Sequence, residues 1–397
     1  MSLAILIVPS CSKDNNEDPP VYETYVSHEL VVTYTSGGIK TLFQQAQILN
    51  PEIEALIEHI QYNVSVYNVT YKTPFNGEVI EASGLVCIPV SEGETFPIIS
   101  FQNGTNTAHN EAPTKDYNSF FFKYLESSAS MGYIMLIPDY IGFGKSEQLV
   151  HPYMHKESTV TSVENLILAT EEMIELNTIN ANWNKEAYLM GYSQGGWATL
   201  CTHRYLTQKQ EQSFEVKASS CGAGPYELAV VQNYMFEGVT YPQPVYMAYT
   251  GISYKSMGLI TNPLTDYFNE PYATPLPSYF DGSKSNGEIN ELLNDTVSVL
   301  VANSFLTGIN TDPLYNDFRN ALESNSVEGW NTSQPIHLYH GTVDNYVPPT
   351  TTEIVYQEFK DAGAADMVSY FPLENMGHTS GAIPMVVSSL IWFNEIK

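Results

Sequence analysis

The segment Gly191-Tyr192-Ser193-Gln194-Gly195-Gly196 sets one serine among glycines, directly after the apolar run Glu186 to Gly191 and directly before a helical pattern from Gln194 to Leu206. A serine on a sharp strand-to-helix turn is exposed, and it stands beside a helix N-terminus that favours developing negative charge. This is nucleophile chemistry: the hydroxyl attacks a carbonyl carbon, and backbone N–H groups receive the tetrahedral oxyanion. The spacing alone is weak evidence, since a chain of this composition contains G-x-S-x-G by chance with a probability of roughly 0.1. Its place between a strand and a helix gives it meaning.

A serine hydroxyl needs a base, and the base needs a carboxylate to orient it and to stabilise the imidazolium. Two later segments supply both, in the order Ser, Asp, His. Asp344 follows the apolar run Ile336 to His340 in HGTVDNYVPP, and His378 follows the run Met367 to Phe371 in LENMGHTSG. Both positions are C-terminal strand ends, where open α/β sheets bind ligands. The competing acids Asp361 and Asp366 flank a helix-to-strand connection and belong at the opposite edge. The competing bases His337 and His340 lie within or at the end of the strand before Asp344 and are read as structural. One oxyanion donor is expected to be the amide of Gln194, directly after the nucleophile. The other is expected from the loop Phe101 to Asn106, with Thr105 as the donor.

These residues need a scaffold to bring them together. Strand-like runs occur at Val64 to Tyr71, Val79 to Ile88, Pro97 to Gln102, Tyr133 to Pro138, Glu186 to Gly191, Val216 to Cys221, Ile336 to His340 and Met367 to Phe371. From Pro97 onward they are continuous apolar runs such as PIISF and YIMLIP, the pattern of parallel strands buried on both faces. Helical patterns fall between them at Phe120 to Ser130, Ser158 to Leu176, Gln194 to Leu206 and Thr350 to Ala362, with a last one from Pro384 to Ile396. Alternation of this kind predicts an eight-stranded, mostly parallel sheet with helices on both faces. The Asn76-Gly77 turn makes its first two strands an antiparallel hairpin. Asn50-Pro51 predicts a helix start, with Ile53, Leu56, Ile57 and Ile60 on one face.

The alternation breaks after the sixth strand. Residues 225–331 carry helical pieces, many prolines and the aromatics Tyr234, Phe236, Tyr241, Tyr246, Tyr249 and Tyr254, which predicts a largely helical cap whose aromatics form its own core. The chain thus divides into a leader and tether (1–20), a first core segment (21–224), the cap (225–331) and a second core segment (332–397).

The nucleophile turn, the H-G-x-x-D segment His340 to Asp344, Gly377-His378 and the loop Pro138 to Ser146 together resemble the α/β-hydrolase superfamily, over about residues 60 to 397. Within it, the cap and the PDYIGFGKS…HPYMHKES stretch resemble capped secreted lipases and esterases. The resemblance implies a carboxylic ester hydrolase working through an acyl-enzyme without a cofactor, on a small-molecule, lipid or glycan ester. Two alternatives stay open. One is a serine peptidase of the prolyl-peptidase-like type, which usually carries a large N-terminal domain where this chain has about forty residues. The other is a non-catalytic ligand-binding protein on the same fold.

Composition narrows the field further. With 44 acidic and 16 basic side chains the formal charge is −28, which argues against nucleic-acid binding. Hydrophobic residues at 43% and charged ones at 15% mark a globular chain. The run Leu3 to Val8 before Ser10-Cys11 resembles a bacterial lipoprotein signal, which implies an exported protein touching a membrane only through a lipid on Cys11. Cys87, Cys201 and Cys221 sit in or beside apolar segments as expected of buried free thiols. His109, His151 and His155 fall in polar loops and are read as scattered surface histidines rather than metal ligands.

Overall fold

The computed structural model describes residues 23–397 except 49, 178 and 210–212, so the leader and the expected lipid attachment at Cys11 lie outside the described residues. Among the described residues the sheet has nine strands, one more than the sequence predicts: β1 (Tyr25–Tyr34), β2 (Asn63–Phe75), β3 (Glu78–Val90), β4 (Thr95–Gln102), β5 (Ile134–Pro138), β6 (Asn182–Tyr192), β7 (Glu215–Gly222), β8 (Ile336–Gly341) and β9 (Val368–Leu373), in the order β1-β2-β3-β5-β4-β6-β7-β8-β9. The extra strand, β1, escaped detection because it is a bulged edge strand with no fully buried residue, so its sequence has no core-facing alternation. With β1, the described residues ahead of β2 extend the same sheet and pack on it. They form no separate domain of the peptidase kind.

Asn76 and Gly77 both take positive φ, 51° and 79°, in the tight turn that pairs Phe75 with Glu78. From β5 to β9 neighbouring strands are parallel. The continuous apolar runs divide between two cores: Ile134 and Leu136 of β5 face one, Met135 and Ile137 the other. The first core is covered by the helices Lys156–Glu175, Gln194–Gln208 and Thr350–Asp361, the second by Ser36–Gln47, Phe120–Ser128 and His378–Ile396.

Two helix boundaries differ from expectation. Asn50-Pro51 opens only a short 3-10 turn, Pro51–Ile53, followed by one helical turn, Glu54–Ile57, because the chain must enter β2 at Asn63. The last helix begins at His378 and contains Pro384 rather than starting there. The hydrogen bond that Pro384 cannot donate would have gone to the carbonyl of Ser380, an exposed residue in the first turns.

The second core contains a buried acid. The Oε2 of Glu126 accepts from the Tyr34 hydroxyl at 2.9 Å while its Oε1 has no partner among the described residues, and burial pushes its pKa from 4.5 up to about 7. A raised acid holds a proton in the fold that the unfolded chain has already lost, so its contribution is complete below pH 4.5 and declines as pH rises through 7. Glu126→Gln cannot ionise. Its stability relative to wild type is therefore expected to improve by about 2 to 3 kcal/mol between pH 5 and pH 8, read from urea midpoints at both values.

Between β7 and β8 lies the cap, which includes the helices Leu228–Glu237, Pro244–Ser256 and Asn316–Asn325. Its centre is aromatic, with Tyr267, Tyr315 and Phe318 all packed around Phe305. Hydrogen bonds tie it to the core, among them the Trp197 indole to Asn325 O at 2.9 Å and the Tyr241 hydroxyl to Tyr346 O at 2.8 Å. Among the described residues no helix is long and apolar enough to cross a membrane.

Candidate active site

Ser193 joins β6 to the helix Gln194–Gln208 with φ 60° and ψ −124°. A non-glycine residue there is strained by about 1–3 kcal/mol, which the surroundings must hold in place. The Ser193 N–H donates to Gly222 O on the neighbouring strand at 2.8 Å. The helix packs so closely that a Cβ on Gly195 would lie 1.8 Å from Gln102 O, and one on Gly196 would lie 2.2 Å from Gly222 O. Only glycine fits at these two positions, which accounts for the glycine pair in the motif.

The turn after β9 and the loop after β8 complete a hydrogen-bonded series. His378 Nε2 lies 2.8 Å from Ser193 Oγ, and His378 Nδ1 lies 2.6 Å from Asp344 Oδ2. His378 is the first residue of its helix, and its carbonyl accepts from the Tyr192 hydroxyl at 2.6 Å. The other carboxylate oxygen of Asp344 accepts from the amides of Tyr346 and Val347 at 2.9 and 3.0 Å. Burial acts to raise the pKa of Asp344, but hydrogen bonds from His340 and His378 outweigh it and hold the carboxyl well below its usual value. Asp344 is therefore ionised at neutral pH, as stabilisation of a histidinium requires.

His340 is more than the structural strand residue its position implied. Its Nε2 faces only acceptors, Val347 O at 2.9 Å and Asp344 Oδ2 at 3.3 Å, so Nε2 carries the proton and Nδ1 accepts from the Thr352 hydroxyl at 2.6 Å. Asp344 thus has a second imidazole donor. The four-residue spacing in His340-Gly341-Thr342-Val343-Asp344 was the available signal. His337, by contrast, stacks on Trp392 at 3.5 Å, and Asp361 bonds Gln357 within its own helix; neither joins the series.

β4 pairs with β6 so that Gln102 is level with Gly191, which brings the loop after β4 beside Ser193 at the point where the strand order reverses. A Cβ on Gly104 would stand 3.9 Å from Ser193 Cβ. Thr105 is fixed from both sides: its hydroxyl donates to the Tyr153 hydroxyl at 3.2 Å, and its carbonyl accepts from the cap residue Asn286 at 2.7 Å. Gln194 sits in the first turn of its helix, where backbone N–H groups lack an intrahelical acceptor.

The side chain of Gln194 has a buried partner. His151, expected at the surface, is buried in a ring of aromatics including Tyr140, Phe143 and Tyr249. Its Nδ1 donates to Ile141 O at 2.7 Å, leaving Nε2 to accept from the Gln194 amide at 3.0 Å. Burial lowers its pKa to about 4, so it is neutral near pH 7 and keeps that acceptor. His155 caps the helix Lys156–Glu175, and among the described residues no cluster of His, Cys, Asp or Glu is arranged to hold a metal. The loop Asp139 to Ser146 is a structural turn in which buried Asp139 accepts from Ser83 and from both the amide and the hydroxyl of Thr114.

An apolar cleft opens at Ser193 and runs into the cap between Leu228, Val231, Met235, Phe305, Phe318 and Leu322. The aromatic stripe of the cap divides its work. Tyr241, Tyr249 and Tyr254 are buried as expected of cap core, Tyr246 and Phe236 line the cleft, and Tyr234 is partly exposed.

No family model and no curated protein sequence matches the chain. Solved structures do. A Legionella pneumophila protein assigned as a hydrolase superposes with a TM-score of 0.82 at 24% identity, covering 94% of this chain and 97% of that one. A ligand-bound form of the rice cell wall degrading esterase LipA from Xanthomonas oryzae superposes with a TM-score of 0.81 at 22% identity, over 95% and 98% of the two chains. Candida antarctica lipase A in its closed state gives 0.66 at 17% identity, over 95% and 85%. Likeness at these identities shows the fold, which is that of the α/β hydrolases.

Proposed function

We propose that this chain is a serine hydrolase that cleaves carboxylic esters through an acyl-enzyme, of the carboxylesterase or lipase type. The observation that carries the reading is Ser193 itself: its Oγ lies 2.8 Å from His378 Nε2 and it lines an apolar cleft reaching into the cap. Ser193 Oγ attacks the ester carbonyl as His378 Nε2 takes its proton, and Asp344 stabilises the resulting imidazolium. The amides of Gln194 and Thr105 receive the oxyanion. His378 then returns the proton to the departing alkoxide. A water activated by the same histidine attacks the acyl-enzyme and releases the acid, restoring Ser193. The cycle needs no group beyond these residues and water. An amide substrate has less support, because among the described residues no charged side chain lines the cleft to seat a peptide terminus or a basic residue.

Labelling of the folded protein by a fluorophosphonate, together with hydrolysis of p-nitrophenyl esters from acetyl to palmitoyl, tests the reading. Neither reaction occurring at neutral pH would remove it. The cleft adds a second expectation. Val231→Trp fills the acyl path, and the ratio of kcat/KM for decanoyl over acetyl ester is expected to fall about tenfold or more. An unchanged ratio would place the acyl group elsewhere.

A further inference from the structure

One helical face of the cap lines the cleft from Ser193: Leu228, Val231, Gln232, Met235 and Phe236, at the spacing of adjacent turns of the helix Leu228–Glu237. Four are apolar. Gln232 stands at a position where the periodicity calls for another apolar residue, and it is only 8% exposed. Its Oε1 is buried with no hydrogen-bond partner among the described residues. Two other polar side chains in the lining are engaged: Thr250 Oγ1 donates to Tyr246 O at 2.9 Å, and the Tyr153 hydroxyl accepts from Thr105 at 3.2 Å. Native structures seldom leave a buried amide oxygen unpaired, and an unpaired amide on a residue that lines a binding cleft is one that a ligand can satisfy.

We propose that Gln232 is a specificity-determining residue that recognises a hydroxyl part-way along the acyl chain, so that the preferred substrates are esters of hydroxylated aliphatic acids. This rests on the ester hydrolase reading and deepens it. A hydroxyl suits the amide in both directions, donating to Oε1 and accepting from the side-chain N–H groups. An unsubstituted chain leaves Oε1 unpaired in an apolar passage, and a site built to bond a hydroxyl discriminates against the analogue lacking it. The apolar neighbours Val231, Met235, Phe305 and Leu322 then accommodate the methylenes on either side.

The test compares p-nitrophenyl decanoate with the positional series of p-nitrophenyl hydroxydecanoates, with wild type, Gln232→Leu and Gln232→Met. For wild type, one hydroxyl position is expected to stand out with a kcat/KM above that of its neighbours in the series. For that ester, the ratio of kcat/KM to plain decanoate is expected to fall about tenfold to a hundredfold in both variants, which keep the side-chain volume but not the amide. Because the readout is a ratio within each protein, a general loss of activity does not imitate it. If a variant fails to fold, the positional profile of wild type still decides: a flat or steadily declining profile overturns the proposal. Hydrolysis of every ester with the same ratio in all three proteins also overturns it while leaving the ester hydrolase reading intact. Hydrolysis of none of them by wild type overturns both.

Discussion

Ser193→Ala is expected to lower kcat for a p-nitrophenyl ester by about 10⁵- to 10⁶-fold and to abolish fluorophosphonate labelling, with little change in stability. The hydroxyl that would form the acyl bond is gone, whereas His378 and Asp344 remain paired at 2.6 Å and the backbone at Gln194 and Thr105 is untouched. What survives is water attack assisted by oxyanion stabilisation and binding, a residue of about 10³- to 10⁴-fold over the uncatalysed reaction. Alanine meets the same positive φ as serine at 60°, so the strain of the turn is unchanged and the urea midpoint is expected to stay close to that of wild type. Retention of more than a tenth of wild-type kcat by a folded Ser193→Ala protein would remove Ser193 as the nucleophile.

Asp344→Asn is expected to cost about 10⁴-fold in kcat with a small effect on KM. Asp344 Oδ1 is committed to the amides of Tyr346 and Val347, so the substituted amide nitrogen must point at His378 Nδ1 and at His340 Nε2. A donor placed there forces His378 to carry its proton on Nε2, the atom that must be free to accept from Ser193 Oγ at 2.8 Å. His340 meets the same conflict, because its Nε2–H also faces that nitrogen. Stopped-flow measurement of p-nitrophenolate release, which separates acylation from deacylation, should find acylation slowed as strongly as kcat. A loss of less than tenfold would show that Asp344 does not set the tautomer of His378.

Ser193, Asp344 and His378 were legible because each belongs to a short motif at the end of a recognisable strand. At Gly195 and Gly196 a Cβ would come within 1.8 and 2.2 Å of neighbouring backbone oxygens, so the local sequence carries the tertiary requirement within itself. The parallel strands were legible for a similar reason: runs such as Ile134 to Pro138 are buried on both faces and therefore predominantly apolar. β1 was not legible, because an edge strand without a buried residue leaves no hydrophobic period. The last helix was mistimed because Pro384 looks like a helix start, and only the tertiary structure places His378 ahead of it as the opening residue.

His151, His340 and Gln232 mark the same boundary inside the site. Histidine in a polar-looking loop is as compatible with a solvated surface as with burial. Only the packing of Tyr140, Phe143 and Tyr249 around His151 lowers its pKa to about 4 and directs its Nε2 at Gln194. The proximity of His340 to Asp344 depends on the turn Gly341 to Asn345 bending the loop back over its own strand. The burial of Gln232 against the cleft comes from how the cap settles on the core.

By itself, then, the sequence determined the class of fold and the residue types available for chemistry, because strand burial and the nucleophile turn impose constraints within a few neighbouring residues. The tertiary structure decided which donors face which acceptors around Asp344 and Gln194, and which side chains enclose the passage from Ser193. Those relations join β4, β6, β8, β9 and the cap, elements far apart in the chain, and their distances are set by sheet pairing and helix packing rather than by local propensity.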